Sequence, residues 1–382
     1  MAVQSLRSFP VSYARNSTGE QSSGATDGTE AAAVVDRKAV VPPPIIKSFP
    51  QLRFMGSKFR LLPWIHEVVF DLDFDTVLDA FSGSGAVAYL FKAMGKAVAT
   101  NDFMAFPTTI AKALIENWGG RLTDSEVADL LRYDPKHPRF IERTFDGIFY
   151  TKKDLRFLDR VSWNVRTQLR EPKQALALAA LLRSCVKRQP RGVFTVAGDP
   201  DRYKDGRRDL RLSLEEHFVE QVHVYNGAVF TNGRRNRAQC GSAFDVPPEG
   251  HDLVYLDPPY VPRADDNCYM KRYHFLEGLA CYWEGKKIVD RSRVKKIEKP
   301  YTPFSYRHDA VDAFDRLFAR YSKSILVLSY SSNGFPDLAV LANLMGRHKR
   351  EVVVHERPHT YHFGTHSSVA RSRVTEFLLV GR

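Results

Sequence analysis

The chain has 382 residues, 43% hydrophobic and 26% charged, a composition that supports a sizeable core and excludes wholesale disorder. Lysine and arginine outnumber aspartate and glutamate 56 to 44, and the resulting formal charge of +12 favours a polyanionic partner. Cys185, Cys240, Cys268 and Cys281 are scattered with no C-x-x-C pair, and no apolar run approaches the ~20 residues that span a bilayer, so a disulfide scaffold, a zinc knuckle and a membrane-embedded protein are set aside.

Residues 1–46 are rich in Ser, Ala, Gly and Thr, end in Pro42-Pro43-Pro44 and balance four basic against four acidic side chains, so a disordered, solvated tail is expected. Its first nineteen residues, with two arginines and no acid, only weakly imitate a transit peptide, and a reducing cytoplasm is the expected compartment. From residue 45 onward short β-branched runs alternate with helical stretches, which predicts an α/β fold: a mixed sheet flanked by helices. Strands are expected at 76–79, 97–100, 252–256, 324–329, 351–355 and 374–380. Between 114 and 236 the strand signal fades into amphipathic helical stretches such as 125–131 and 155–182, with polar loops after them. The chain therefore divides into a first half at 47–113, an inserted helical and loop-rich lobe at 114–236 and a second half at 237–382.

Residues 76–88, TVLDAFSGSGAVA, read as strand, glycine turn and helix. Gly83 and Gly85 permit a tight turn and close approach to a ligand, and Ala88 is small enough for helix and strand to pack closely. Asp102 follows about twenty residues later at the end of the next strand, where a carboxylate commonly binds ribose hydroxyls. Asp79 narrows the ligand class. An anionic side chain at the mouth of the turn repels a pyrophosphate but attracts an ammonium group, which S-adenosylmethionine carries.

The buried-strand run at 252–256 empties into Asp257-Pro258-Pro259-Tyr260. An exocyclic aromatic amine is a poor nucleophile because its lone pair is delocalised into the ring. Two acceptors, the Asp257 carboxylate and the Pro258 carbonyl, would take its two N–H bonds and free the lone pair to attack a sulfonium methyl. Pro258 and Pro259 hold that carbonyl in a fixed direction, and Tyr260 offers a π-face for an extruded base.

Together with Phe54-Met55-Gly56-Ser57-Lys58, these segments resemble the Dam-like family of adenine-specific DNA methyltransferases, in which Gly-Ser-Lys, glycine turn, variable recognition stretch and Asp-Pro-Pro-Tyr follow in this order. The resemblance runs from about residue 51 to the C-terminus. It implies a Rossmann-like methyltransferase fold with 114–236 as target-recognition lobe, S-adenosylmethionine as cofactor, and transfer to the N6 amine of adenine in double-stranded DNA. It further implies that Phe54, Gly56 and Lys58 surround the methionine end of the cofactor, with Lys58 at its carboxylate, that Phe81 lines the same pocket, and that Asp245 accepts from the cofactor's adenine amine. A restriction or defence system and a nucleoid-associated cytoplasmic location are the expected setting. Adenine in RNA, the cytosine N4 amine and a catalytically silent nucleic-acid-binding subunit stay open as alternatives.

Residues 183–211 carry nine basic side chains against four aspartates, with Phe194 and Tyr203 interleaved. A basic loop with aromatics suits phosphate contacts and insertion at a base step, so Lys187, Arg188, Arg191, Arg202, Lys204, Arg207 and Arg208 are the expected DNA-facing cations. His355, His359, His362 and His366 have metal-like spacing on a helix, but Pro358 and Gly364 interrupt it; a hairpin between the last two strands, without metal, is expected there.

Overall fold

In the computed structural model, which describes residues 11–14, 41–198, 206–261, 269–361 and 372–382, the β-branched runs form a single eight-stranded sheet. Its strands are Val11–Ala14 (β1), Thr76–Asp79 (β2), Ala97–Asp102 (β3), Arg237–Cys240 (β4), Leu253–Leu256 (β5), Ile325–Ser331 (β6), Val352–Tyr361 (β7) and Ser372–Gly381 (β8). Across the sheet they run β1-β7-β8-β6-β5-β2-β3-β4. Neighbours are parallel except at β8, which is antiparallel to β6 and β7.

All six expected strands are present, and two further ones carry no apolar alternation strong enough to announce them. β1 is a four-residue edge strand within the expected tail, held in register with Val352, Val353, Val354 and His355. The tail expectation also ends early at its other side, since residues 44–48 form a short helical turn whose Ile46, with the following Phe49, is buried in the core. β4 is the opposite edge, mostly exposed Arg-Ala-Gln-Cys paired only to β3.

Central strands are buried on both faces, as a sheet covered on both sides requires. Val77, Leu253, Tyr255 and Val327 face one apolar cluster, which they share with the helices Ala86–Ala93, Lys152–Gln168, Lys173–Arg188 and Leu214–Ala228. Their neighbours Leu78, Val254, Leu256, Leu326 and Leu328 face the other, against the helices Arg307–Arg320 and Leu338–Gly346. The helical stretch expected at 155–182 is two helices. The first stops at Gln168, where Leu169 turns extended, and the second starts at Lys173 behind Pro172, a residue that cannot sit in a helix interior.

From β2 the chain moves outward to β3 and β4, then returns to lay β5 on the other flank of β2. The carboxyl ends of β2 and β5 thus lie side by side: Asp79 pairs with Tyr255, and the Ala80 N–H donates to the Tyr255 carbonyl at 3.1 Å. Such a reversal of strand order leaves a crevice at the strand ends, where open α/β sheets bind ligands.

Candidate active site

A cavity occupies this crevice, and both the glycine turn and the Asp-Pro-Pro-Tyr segment reach it through Gly83, Asp79, Asp257 and Pro259. Gly83 has φ +48°, and a Cβ there would lie 3.1 Å from Cε1 of Phe54, so only glycine lets the aromatic close over the turn. Phe54 stacks on Tyr273 at 5.2 Å and on Tyr269 at 5.5 Å between centroids. The Met55 N–H donates to the Tyr273 hydroxyl at 2.8 Å, which ties the Phe54–Lys58 segment to the helix Tyr269–Cys281. Gly56, Lys58 and Phe81 line the cavity too, whereas Gly85 serves the turn, donating to the Ser82 carbonyl at 2.7 Å.

Three carboxylates converge on this space. Asp79 ends β2, is 1% exposed, and its Oδ1 has no hydrogen-bond partner among the described residues. Burial, and then the nearby charge of Asp257, push its pKa up to about 8. Asp102 ends β3 and stitches the turn in place, accepting from the Gly83 and Met104 N–H groups at 2.9 Å each. Burial pushes Asp102 up to about 6, against those two donors. Neither Asp79 nor Asp102 has a cationic partner among the described residues, so this end of the cavity favours a positively charged ligand and disfavours a pyrophosphate.

The third, Asp257, follows directly on β5 and meets Lys58. The lysine ammonium donates to both carboxylate oxygens at 2.8 and 2.7 Å, to the Gly56 carbonyl at 3.1 Å and to the Tyr260 hydroxyl at 3.2 Å, while itself only 3% exposed. Burial raises the pKa of Asp257, and Lys58 opposes that rise. Lys58, expected at a cofactor carboxylate, therefore spends its charge on the Asp257 side chain, because a buried ammonium takes the nearest anion that can desolvate with it. Tyr260 packs edge-on against Tyr330 at 4.7 Å.

Over residues 54–324 the chain matches the D12 class N6 adenine-specific DNA methyltransferase family. The chain belongs to that family. It is 30% identical over 327 residues to the type II methyltransferase M2.HphI of Haemophilus parahaemolyticus, covering 82% of this chain and 92% of that enzyme. Type II methyltransferase M.NlaIII of Neisseria lactamica is 21% identical over 312 residues, 78% of this chain and 88% of that one. With type II methyltransferase M.FokI of Planomicrobium okeanokoites it shares 24% identity over 310 residues, 74% of this chain but 45% of the longer relative. The protein is thus an N6-adenine DNA methyltransferase, and its glycine turn and Asp-Pro-Pro-Tyr segment meet in one cavity.

Elsewhere the methyltransferase departs from expectation. Asp245 is exposed and does not line the cavity; it closes a turn by donating its N–H to the Ser242 carbonyl, which gives the wall to Ser242, Ala243 and Phe244. Phe244 stacks parallel to Phe304 at 5.9 Å, and Phe304 meets Phe81 edge-on at 5.4 Å, an aromatic enclosure the sequence does not announce because its members lie far apart in the chain. Tyr269 and Tyr301 also line the cavity, and no local sequence signal marks them for the same reason.

Among the described cations of the 183–211 run only Arg188 is buried, but most of them are engaged within the protein. Arg188 is 5% exposed and binds Asp154 at 3.4 Å and the Leu210 carbonyl, Lys187 pairs with Asp209 at 2.8 Å, Arg208 pairs with Glu220, and Arg207 donates to the Pro190 carbonyl at 3.0 Å. Phe194 is fully buried and stacks on Phe275 at 5.2 Å, so it is a core residue and not a wedge for a base step. Arg191 is exposed; Arg202, Tyr203 and Lys204 lie outside the described residues. Arg188 faces inward, against expectation, because it sits on the last turn of its helix in line with the buried Ser184 and Cys185 and so continues the buried face. Arg188→Ala is therefore expected to cost about 3–5 kcal/mol of stability by stranding Asp154 in the core. Denaturant titration measures this, and an unchanged midpoint would contradict it.

His355 and His359 sit on β7, four residues and roughly 13 Å apart along a strand, too far to share one ion. His362 and His366 lie outside the described residues, and no cluster of metal-ligating side chains occurs among those described. β7 and β8 do form the expected antiparallel pair. No described helix is long and apolar enough to cross a membrane.

Proposed function

We propose that this methyltransferase uses S-adenosylmethionine to methylate the N6 amine of an adenine extruded from double-stranded DNA, as the modification member of a restriction system. The observation that carries the cofactor assignment is the unpartnered, buried Asp79 Oδ1 on a cavity that Asp79 and Asp102 together make receptive to cations. When bound, S-adenosylmethionine supplies an electrophilic methyl group on a sulfonium centre. Asp79 takes the cofactor's ammonium, Asp102 its ribose, and Phe54, Phe81 and Gly83 enclose it; Phe244 and Phe304 provide apolar faces suited to its adenine ring.

Asp257 and the Pro258 carbonyl accept the two N–H bonds of the target amine and draw its lone pair out of conjugation. Lys58 acts on Asp257: it keeps the buried carboxylate ionised and fixes its direction through both oxygens. Tyr260 supplies the stacking face. After transfer the amine sheds a proton, for which Asp257 is the adjacent acceptor. Target recognition falls to residues 114–236.

Removing the Lys58 charge is expected to raise the Asp257 pKa further, so the acidic limb of the kcat profile moves to higher pH in Lys58→Met. An unmoved limb would separate Lys58 from this role. For the reaction as a whole, the protein is incubated with radiolabelled S-adenosylmethionine and either plasmid DNA or total RNA, and the digested nucleosides are identified. N6-methyladenine from duplex DNA is expected; the same product from RNA alone, or N4-methylcytosine, would overturn the substrate assignment.

A further inference from the structure

Resting on the reading just given, we infer that the basic hairpin at 286–299 is the phosphate-binding clamp beside the catalytic cavity. The segment KKIVDRSRVKKIEK holds seven cations against two acids. It doubles back on itself: Ile288 bridges antiparallel to Ile297, the Val289 N–H donates to the Lys296 carbonyl at 2.8 Å, and the Glu298 N–H donates to the Lys287 carbonyl at 2.9 Å. Val294 and Ile297 are buried in the main core, so the hairpin is anchored through its apolar side chains and does not hang as a solvated loop.

Three of the seven cations are engaged within the protein. Lys286 pairs with Glu277 at 2.7 Å, Lys287 with Glu298 at 3.5 Å, and Lys299 lies over the Tyr306 ring at 4.9 Å. Arg291, Arg293, Lys295 and Lys296 have no acidic partner within 4 Å among the described residues, and both arginines are exposed. This is the reverse of the 183–211 run, whose charges are largely satisfied internally. The hairpin is also well placed, because it leads straight into Tyr301–Phe304 of the cavity wall. Even a fully extended chain cannot carry Lys296 more than roughly 18 Å from Tyr301. A duplex presents a phosphate charge about every 1.7 Å of axis, so on this reading DNA that delivers a base to Asp257 brings phosphates past the hairpin.

The test is the full-length protein with Arg291, Arg293, Lys295 and Lys296 all replaced by Gln, plus a milder variant with only Arg291→Gln and Arg293→Gln. Duplex DNA binding is titrated from low to high salt, with KM for DNA and S-adenosylmethionine affinity measured alongside. The expected result is a salt slope shallower by about 0.9 for each phosphate that the side chains no longer neutralise, so about two to four for the quadruple variant. KM for DNA should rise by more than any fall in kcat, and cofactor affinity should be retained. Arg347→Gln with Arg350→Gln controls for net charge: both arginines are exposed and precede β7, at the amino ends of the parallel strands and so opposite the cavity. Wild-type slope and KM in both hairpin variants, or an equal slope change in the control, would overturn the clamp while leaving the methyltransferase reading intact. A wild-type protein that methylated duplex DNA without any salt dependence of binding would overturn it as well.

Discussion

Asp257→Asn is expected to lower kcat by about 10²–10³-fold or more while leaving S-adenosylmethionine binding largely intact. The side chain keeps its size, but a neutral amide no longer draws on the target amine as a carboxylate does, and one of its two hydrogen-bonding groups becomes a donor. The change also strands Lys58, whose buried ammonium is held by both oxygens of Asp257. Asp257→Ala removes the acceptor altogether and should be at least as inactive, with Asp79, Asp102 and Phe54, the groups proposed for the cofactor, still in place. Single-turnover methylation separates the chemical step from DNA binding, and calorimetry reports the cofactor. Wild-type turnover in either variant would refute the assigned mechanism.

Asp79→Asn should have opposite effects on binding and on stability. Cofactor affinity is expected to fall by about a hundredfold, because the ammonium loses a charge-assisted, desolvated partner. The free protein, by contrast, should become more stable. Asp79 has its pKa raised by burial to about 8, so the folded state binds this proton more tightly than the unfolded state does. Its contribution to stability is therefore complete below the unfolded value near 4 and is lost as pH rises through about 8. Asparagine does not titrate. The variant's gain in Tm should be small at pH 4 and reach about 5 °C or more near pH 9. Scanning calorimetry across that range, without cofactor, measures it; a gain that does not grow with pH would remove Asp79 from the buried, cation-seeking role. Together the two outcomes would identify Asp79 as a residue kept for binding at the expense of the fold.

Local signals carried much of this site. Asp79, Asp102 and Asp257 are each at or next to a strand end, with Gly83 in the turn after the first, and strand ends are legible because β-branched runs stop abruptly at polar or glycine residues. The aromatic walls were not legible: Phe244, Tyr269, Tyr301 and Phe304 come from segments whose convergence depends on packing, and an isolated aromatic in a loop carries no mark of what it will face. Charge was the least reliable guide. The runs at 183–211 and 286–299 each carry an excess of five positive charges in sequence, yet Arg188 pairs with a buried aspartate 34 residues earlier, whereas Arg291 and Arg293 remain exposed.

The chemistry and the order of its parts follow from the residues alone: an anionic strand end before a glycine turn, an Asp-Pro-Pro-Tyr segment at another strand end, and enough apolar periodicity to require a sheet covered on both faces. Folding in three dimensions was needed to select which distant groups share a cavity, to give Lys58 to Asp257, and to leave one basic segment open to a polyanion while the other is satisfied internally. The reason is that strand ends and turns are set by interactions a few residues apart, whereas the partner of a charge is chosen by the chain crossings that bring it out of water.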